Sequence, residues 1–226
     1  MKTGKDLIST IAAPELADLR EGVIEALIDG TLEDGFLKDL PIFGSLMAIV
    51  KTGVAFRERR LMEKIVVFIN EVGELSASDR ARVVADLAGT GEKQEKVGEL
   101  VIEMLDRADS IRKPALIGKL FVAMGRKRIE PKDLLRLCTM VNGVFLEDLS
   151  LLASTRTVGS VEHDRRFALQ ANGFLASSIS DAGLRRSSDL PVEMKWIITK
   201  DGRAVLENCF PPPTDPYAEY EDVLDY

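Results

Sequence analysis

Cysteine and histidine, the residues that most often build metal centres and nucleophilic sites, are almost absent from this chain. Its 226 residues include two cysteines, Cys138 and Cys209, and one histidine, His163. The cysteines lie far apart without a partner at metal-ligand spacing, so the sequence offers neither a zinc site nor a disulfide framework. Glycine-rich phosphate loops and the Gly-x-Ser-x-Gly nucleophile motif are missing as well. We therefore expect a protein without enzymatic activity, metal or cofactor.

Long apolar runs are also missing. The longest, residues 41–50, is ten residues long and is interrupted by Gly44 and Ser45. About 20 apolar residues are needed to cross a bilayer as a helix. The first residues show no signal-peptide core, and two cysteines far apart in the sequence suit a reducing compartment. These features predict a cytoplasmic protein.

Aromatic residues are scarce too, at 6% of the chain, whereas hydrophobic residues make up 46%. The core must therefore come mainly from Leu, Ala, Val and Ile, which is typical of packed helices. Apolar residues recur at helical spacing up to about residue 155. Predicted helices include one over 14–29, a long one over 43–72 and one capped by Ser78. The sequence thus predicts a mostly α fold in which residues 1–155 form a multi-helix bundle.

Residues 156–210 follow a different order: a helix, a short strand, a polar loop, a second strand and a closing helix. Gly173 is expected to end the first helix with a positive backbone angle. Thr199 is expected to cap the closing helix, and Gly202 to let that helix lie close against the paired strands. This order predicts a small winged-helix-like α+β unit. Residues 211–226, rich in proline, acids and tyrosine, are predicted to form an extended acidic tail.

The closing segment 198–209, which begins Ile-Thr-Lys-Asp-Gly-Arg, is similar to the end of abortive-infection alpha-type proteins. The segments 40–45 (Leu-Pro-Ile-Phe-Gly-Ser) and 116–121 (Leu-Ile-Gly-Lys-Leu-Phe) resemble a broader group of poorly characterised bacterial proteins. The resemblance implies a role in phage defence, self-immunity or a related regulatory setting. It transfers no catalytic residue to this chain, and the proline-rich acidic tail departs from the pattern of the group.

The acidic tail is the first candidate for partner binding. It holds all three tyrosines of the chain, Tyr217, Tyr220 and Tyr226, which alternate with five acidic residues. Such a segment can dock as a peptide into a basic groove, or it can serve only as a solubilising end. The docking hypothesis draws its weight from the scarcity of aromatic residues elsewhere.

A compact basic patch between two predicted helices is the second candidate. It consists of Arg126, Lys127 and Arg128 and suits a phosphate or an acidic partner, although three charges at a turn are often only solvated. Together with the missing catalytic motifs, the two candidates favour a non-enzymatic protein-interaction or regulatory protein that binds another protein.

A winged-helix DNA-binding regulator is the first alternative function. Arg185 and Arg186, in the polar loop between the predicted strands, are the residues expected to contact phosphates. The chain carries 37 acidic and 30 basic residues and a net charge of -7. Proteins that bind duplex DNA usually gain affinity from clustered cations, so this charge balance weighs against the DNA hypothesis.

A membrane-active effector is the second alternative. Phe43 lies in the apolar segment, and Arg57, Arg59 and Arg60 follow that segment closely. An apolar helix beside clustered cations is typical of segments that lie on anionic membrane surfaces. The same pattern also fits a core helix whose charged collar faces water.

Overall fold

The computed structural model describes residues 3–14, 16, 40–50, 55–89, 91–179, 194–210 and 212. The chain divides into two compact units, Met1–Asn142 and Gly143–Tyr226. The described residues are mostly helical and contain one small antiparallel sheet, which confirms the predicted mostly α fold. Residues 17–39, which hold most of the helix predicted over 14–29, lie outside the described residues, as does nearly all of the acidic tail.

All regular structure described in the first unit is helical. The helices are α1 Thr3–Ala12, α2 Pro41–Val50, α3 Ala55–Val72, α4 Ala77–Ala88, α5 Glu92–Arg107, α6 Arg112–Gly125 and α7 Pro131–Gly143, whose last residue opens the second unit. The stretch 43–72, predicted as a single helix, is described as α2 and α3, and residues 51–54 between them lie outside the described residues.

The cap predicted for α4 is placed two residues too late. Its N-cap is Ser76 and not Ser78, because the Ser76 hydroxyl accepts a hydrogen bond from the backbone amide of Asp79 at 3.1 Å. Both serines stand near the helix start in the sequence. Only a side chain at the N-cap position, three residues before the free amide, can accept a hydrogen bond from that amide.

Arg80, in the first turn of α4, is a fully buried cation that no described carboxylate accompanies. Its guanidinium donates hydrogen bonds to the carbonyls of Ile11, Ala13 and Pro14 at the end of α1, and of Leu75 before α4, at 2.6–3.2 Å. The carbonyls at a helix end lack partners within the helix and carry partial negative charge. Burial lowers the pKa of Arg80, and the four carbonyls compensate for the lost water.

Two glycines bring α1 and α5 into backbone contact. A Cβ atom on Gly98 would overlap the carbonyl of Gly4, and a Cβ atom on Gly4 would collide with the backbone of Glu95 and Glu99. These positions must therefore lack a side chain for the two helices to pack as they do. The neighbouring residues of α1, Leu7, Ile8 and Ile11 among them, are buried.

Helix α3 has a buried half and an exposed half. Its C-terminal half packs on α6, where Phe68 and Phe121 meet edge to face with ring centroids 5.0 Å apart. A Cβ atom on Gly118 of α6 would lie 3.0 Å from the Phe68 carbonyl oxygen. The N-terminal half of α3, by contrast, begins with exposed residues such as Phe56 and Arg57, and it leads into the site described below.

The second unit contains a two-stranded sheet. Its elements are α8 Leu146–Thr155, a 3₁₀ turn Val158–Ser160, α9 His163–Ala171, β1 Leu175–Ile179, β2 Met194–Ile198 and α10 Lys200–Cys209. The strands are antiparallel, and Ser177 pairs with Trp196 at the centre of the register. By its contacts, helix α8 belongs to the second unit. From the sequence, residues up to 155 are expected in the helical body.

Three local predictions in the second unit are confirmed. Gly173 has a φ of 83° after the end of α9. The Thr199 hydroxyl accepts a hydrogen bond from the Gly202 amide at 2.9 Å and donates one to the Gly173 carbonyl at 2.6 Å. A Cβ atom on Gly202 would stand 2.5 Å from the Phe174 carbonyl oxygen, so a glycine is needed where α10 meets the start of β1.

Replacing Gly98 by alanine is expected to lower the free energy of unfolding by about 1–3 kcal/mol, because the added atom meets rigid backbone. Alanine at Gly44, a helical glycine with open space at its Cβ position, is the matched control. That control is expected to be neutral or to stabilise the protein by up to about 1 kcal/mol. Chemical denaturation followed by circular dichroism measures both changes, and equal effects would contradict the backbone contact.

Replacing Arg80 by methionine is expected to lower the free energy of unfolding by about 3 kcal/mol or more, because four carbonyls lose their hydrogen-bond donor in a buried place. Arg59→Met is the control. Arg59 is exposed and pairs with Glu63 at 3.6 Å, so its loss should change the stability by less than about 0.5 kcal/mol. A small effect at Arg80 in the same denaturation experiment would show that the buried guanidinium is dispensable.

Candidate functional site

An open cavity of about 320 Å³ lies between the exposed half of α3 and the end of α5. We call it the basic groove, since four of its lining residues are cations and one is an acid. The lining residues are Phe56, Arg57, Arg60, Lys64, Asp106 and Arg107. The α3 residues 57, 60 and 64 are spaced by three and four positions, so they share one helix face.

Lys64 is the most buried cation of the groove, with 9% of its surface exposed. Its ammonium donates a hydrogen bond to the backbone carbonyl of Asp106 at 2.7 Å. An ammonium can donate three hydrogen bonds, and among the described residues this carbonyl is the one hydrogen-bond acceptor that it reaches. Burial lowers the pKa of Lys64, and the Asp106 carboxylate offsets part of that effect. Lys64 is thus a partly dehydrated donor with capacity for a further acceptor.

The single acid of the groove is already engaged. The Asp106 carboxylate accepts a hydrogen bond from Arg57, and this bond raises the pKa of Arg57. Arg107 pairs with Glu103 at 2.6 Å on the outer side of α5, where both side chains are largely exposed. Arg60 is exposed, and the described structure gives it no ion pair. The groove therefore keeps a positive balance after its internal pairs are formed.

Phe56 gives the rim of the groove an apolar surface. Its side chain is 76% exposed, more than any other large hydrophobic residue among those described. A single exposed apolar residue is common on protein surfaces. A phenyl ring beside clustered cations, however, places an aromatic surface next to a positively charged cavity.

The groove brings together some of the predicted site residues and omits others. Arg57 and Arg60 line it, whereas Arg59 is directed elsewhere and pairs with Glu63. Phe43 is buried, with 2% of its surface exposed, so it presents no surface to a membrane in this structure. Phe56 and Lys64 are not among the site residues predicted from the sequence, although Lys64 lies one helical turn beyond Arg60.

The basic patch of Arg126, Lys127 and Arg128 lies at the end of α6 and is fully on the surface. Lys127 adopts a left-handed backbone angle of 59°, and the three amides donate hydrogen bonds to the carbonyls of the last turn of α6. Arg126 also pairs with Glu74 at 3.6 Å. Cations at a helix C-terminus are favourable, so the geometry gives this patch a role in ending α6. Its predicted role in partner binding stays a prediction.

The other predicted site residues lie outside the described residues. They are Tyr217, Tyr220 and Tyr226 of the acidic tail and Arg185 and Arg186 of the polar loop.

The second unit has a larger open cavity, of about 510 Å³, beside α10 and β2. Two cations, Arg156 and Arg203, line it together with the acid Glu207. The Arg156 guanidinium is committed to the fold, because it donates hydrogen bonds to the carbonyls of Leu206 and Phe210 at 2.9 and 3.3 Å. These carbonyls end α10 and need donors. The cavity therefore has less charge available for a ligand than the basic groove.

Three rings of the second unit, His163, Phe167 and Trp196, form an edge-to-face cluster. Their centroids are 5.1, 5.1 and 6.2 Å apart, so the rings contact one another and leave no room for a ligand between them. Since Trp196 belongs to β2 and the other two to α9, the cluster fixes α9 against the sheet.

Comparisons with known proteins add no constraint: no family model, curated protein or solved structure matches the chain. Within the described parts of the chain, no group of His, Cys, Asp and Glu side chains is arranged to hold a metal ion. Of the helices described, none is long and apolar enough to cross a membrane by itself, and α7 and α8 meet the criterion only when counted together.

Proposed function

We propose that this protein is a non-enzymatic interaction protein that binds an acidic segment of a partner protein in the basic groove. The observation that supports the proposal most directly is the convergence of four cations on one cavity, with a buried ammonium among them. The proposed setting, phage defence or self-immunity, is supported only by the resemblance of residues 198–209 to abortive-infection alpha-type proteins.

A carboxylate is the ligand that suits Lys64 best. The Lys64 residue is largely buried, and its ammonium, which is partly dehydrated, has one described hydrogen-bond acceptor. A carboxylate would restore hydrogen bonds to it and cancel its charge, and hydrogen bonds between two ionised groups are about twice as strong as neutral ones. Arg60, one turn earlier on the same face, is placed to bind a second acid.

A peptide suits the groove better than a substrate to be converted. The lining residues include no Ser, Cys or His, and the one acid is held by Arg57. The groove is open to solvent, and its exposed Phe56 ring can contact a neighbouring apolar or aromatic side chain of a peptide. Exposed cations at the rim, such as Arg60, would raise the association rate for an acidic partner.

Arg60→Glu is expected to weaken binding of an acidic tyrosine-containing peptide by about tenfold or more, as measured by fluorescence anisotropy. Arg59→Glu is the matched control, since it makes the same charge change on the neighbouring residue, which does not line the groove. Arg59→Glu should lower the affinity for the peptide only slightly, through the change in overall charge. Added salt should weaken the wild-type complex, because the rim charges are exposed to solvent.

Two outcomes would contradict this function. The first is an absence of peptide binding at low salt. The second is an equal loss of affinity in Arg59→Glu and Arg60→Glu, which would indicate attraction to the overall charge of α3 and not to the groove.

Binding to an anionic membrane surface is a second candidate function. One observation favours it: the exposed Phe56 stands beside the exposed cations Arg57, Arg59 and Arg60, and such neighbours are common in segments that lie on membranes. The predicted contribution of Phe43 would need a different conformation, since Phe43 is buried here.

On this second hypothesis the protein co-floats with vesicles of phosphatidylcholine and phosphatidylserine but not with phosphatidylcholine alone. Phe56→Ser should reduce the floating fraction, because it removes the apolar contact and leaves the charges intact. A protein that stays at the bottom of the gradient with both kinds of vesicle would rule this candidate out.

We also propose that the second unit is winged-helix-like. This proposal is supported by the antiparallel strands and by the Thr199-capped helix that follows them. Winged helices serve as docking and dimerisation pieces as well as DNA readers. The net charge of -7 makes docking the better interpretation, and the described residues supply no observation that favours DNA.

A further inference from the structure

Resting on the proposed function, we infer that the partner segment bound by the basic groove is the acidic segment 211–226 of a second copy of this chain. The groove of one copy would hold residues 219–222 of the other. The inference joins a feature of the structure, a groove with a positive balance, to a feature of the sequence, the acidic segment.

The acidic segment has the composition that the groove selects. It carries five acids and no base, together with all three tyrosines of the chain. Its densest part is Glu219-Tyr220-Glu221-Asp222, in which an aromatic ring is flanked by acids on both sides. The groove offers the complementary set: cations on its floor and rim and a phenyl ring at its edge.

The distribution of charge favours this segment over any other part of the chain. The whole chain has an acid excess of seven, and five of those acids lie in the acidic segment. The remaining 210 residues are therefore close to neutral. Because exposed opposite charges steer association, two copies approaching each other would meet most favourably with segment against groove.

The chemistry assigns a role to each group. Acids beside Tyr220 would accept hydrogen bonds from Lys64 and Arg60, which lie one turn apart on one face of α3. The Tyr220 ring would pack on Phe56, whose exposure it would reduce. An extended segment of 16 residues spans roughly 50 Å, so it is long enough to reach across a neighbouring molecule.

Sedimentation velocity on the full chain tests the inference by charge exchange. The wild type should self-associate at low salt and dissociate as salt is added. Arg60→Glu and Glu221→Lys should each weaken the association by about tenfold, and an equimolar mixture of these two variants should associate more tightly than either alone, since the mixture still contains one intact groove and one intact segment. Arg59→Glu should behave as the wild type.

A protein that is monomeric at low salt over the whole concentration range would overturn the inference. Self-association that neither Arg60→Glu nor Glu221→Lys weakens would also overturn it. A third contradictory result would be that, at low salt, phosphatidylserine vesicles disrupt the association whereas the tyrosine peptide does not. Tyr220→Ser offers a variant without any charge change, and it should weaken association through the lost ring contact.

The peptide experiment separates this inference from the proposed function. If an unrelated acidic tyrosine peptide binds the groove while the chain stays monomeric, the inference fails and the proposed function stands. If neither the peptide nor a second copy binds, both fail.

Discussion

The hydrogen bonds of Arg80 are the interaction on which the first unit depends. One buried guanidinium holds three carbonyls at the end of α1 and the Leu75 carbonyl before α4. The direction in which α1 ends is thereby fixed relative to α4. With that end held, the glycine face of α1 can lie flat on α5, where Gly4 and Gly98 leave no space for a side chain. A charge in the core thus determines the placement of an apolar interface.

The groove forms where α3 continues beyond the residues that it buries in the core. Its second half supplies Phe68 and Val72 to the interior, while its first half begins with exposed residues and lies beside the end of α5. Arg57 or Arg60 can therefore be replaced by other polar residues without disturbing the packing of α3 against α6. Lys64 stands at the junction: it is buried like the core residues and charged like the rim. Core packing and the charged groove are consequently built from different turns of one helix.

Much of the fold was readable from the sequence, and the part that was not depended on tertiary contacts. Helical periodicity predicted the mostly helical fold, and Gly173, Thr199 and Gly202 predicted the local geometry around the closing helix, since each acts within a few residues. Arg80 was also readable in principle, because it lies on the same helical face as Val83, Val84 and Leu87. For the groove, the spacing of Arg57, Arg60 and Lys64 marks one helix face. The participation of Asp106 and Arg107 required knowing that α5 ends beside α3, which no local pattern contains.

The contact between α1 and α5 also has a consequence for synthesis on the ribosome. At about 5–20 residues per second, α5 emerges roughly 5–20 seconds after α1. During that interval the part of α1 that packs on α5 in the finished protein, around Gly4, lacks this partner helix. Part of the buried face of this ten-residue helix therefore stays uncovered until α5 emerges, and chaperones that recognise apolar segments have their best opportunity in this period.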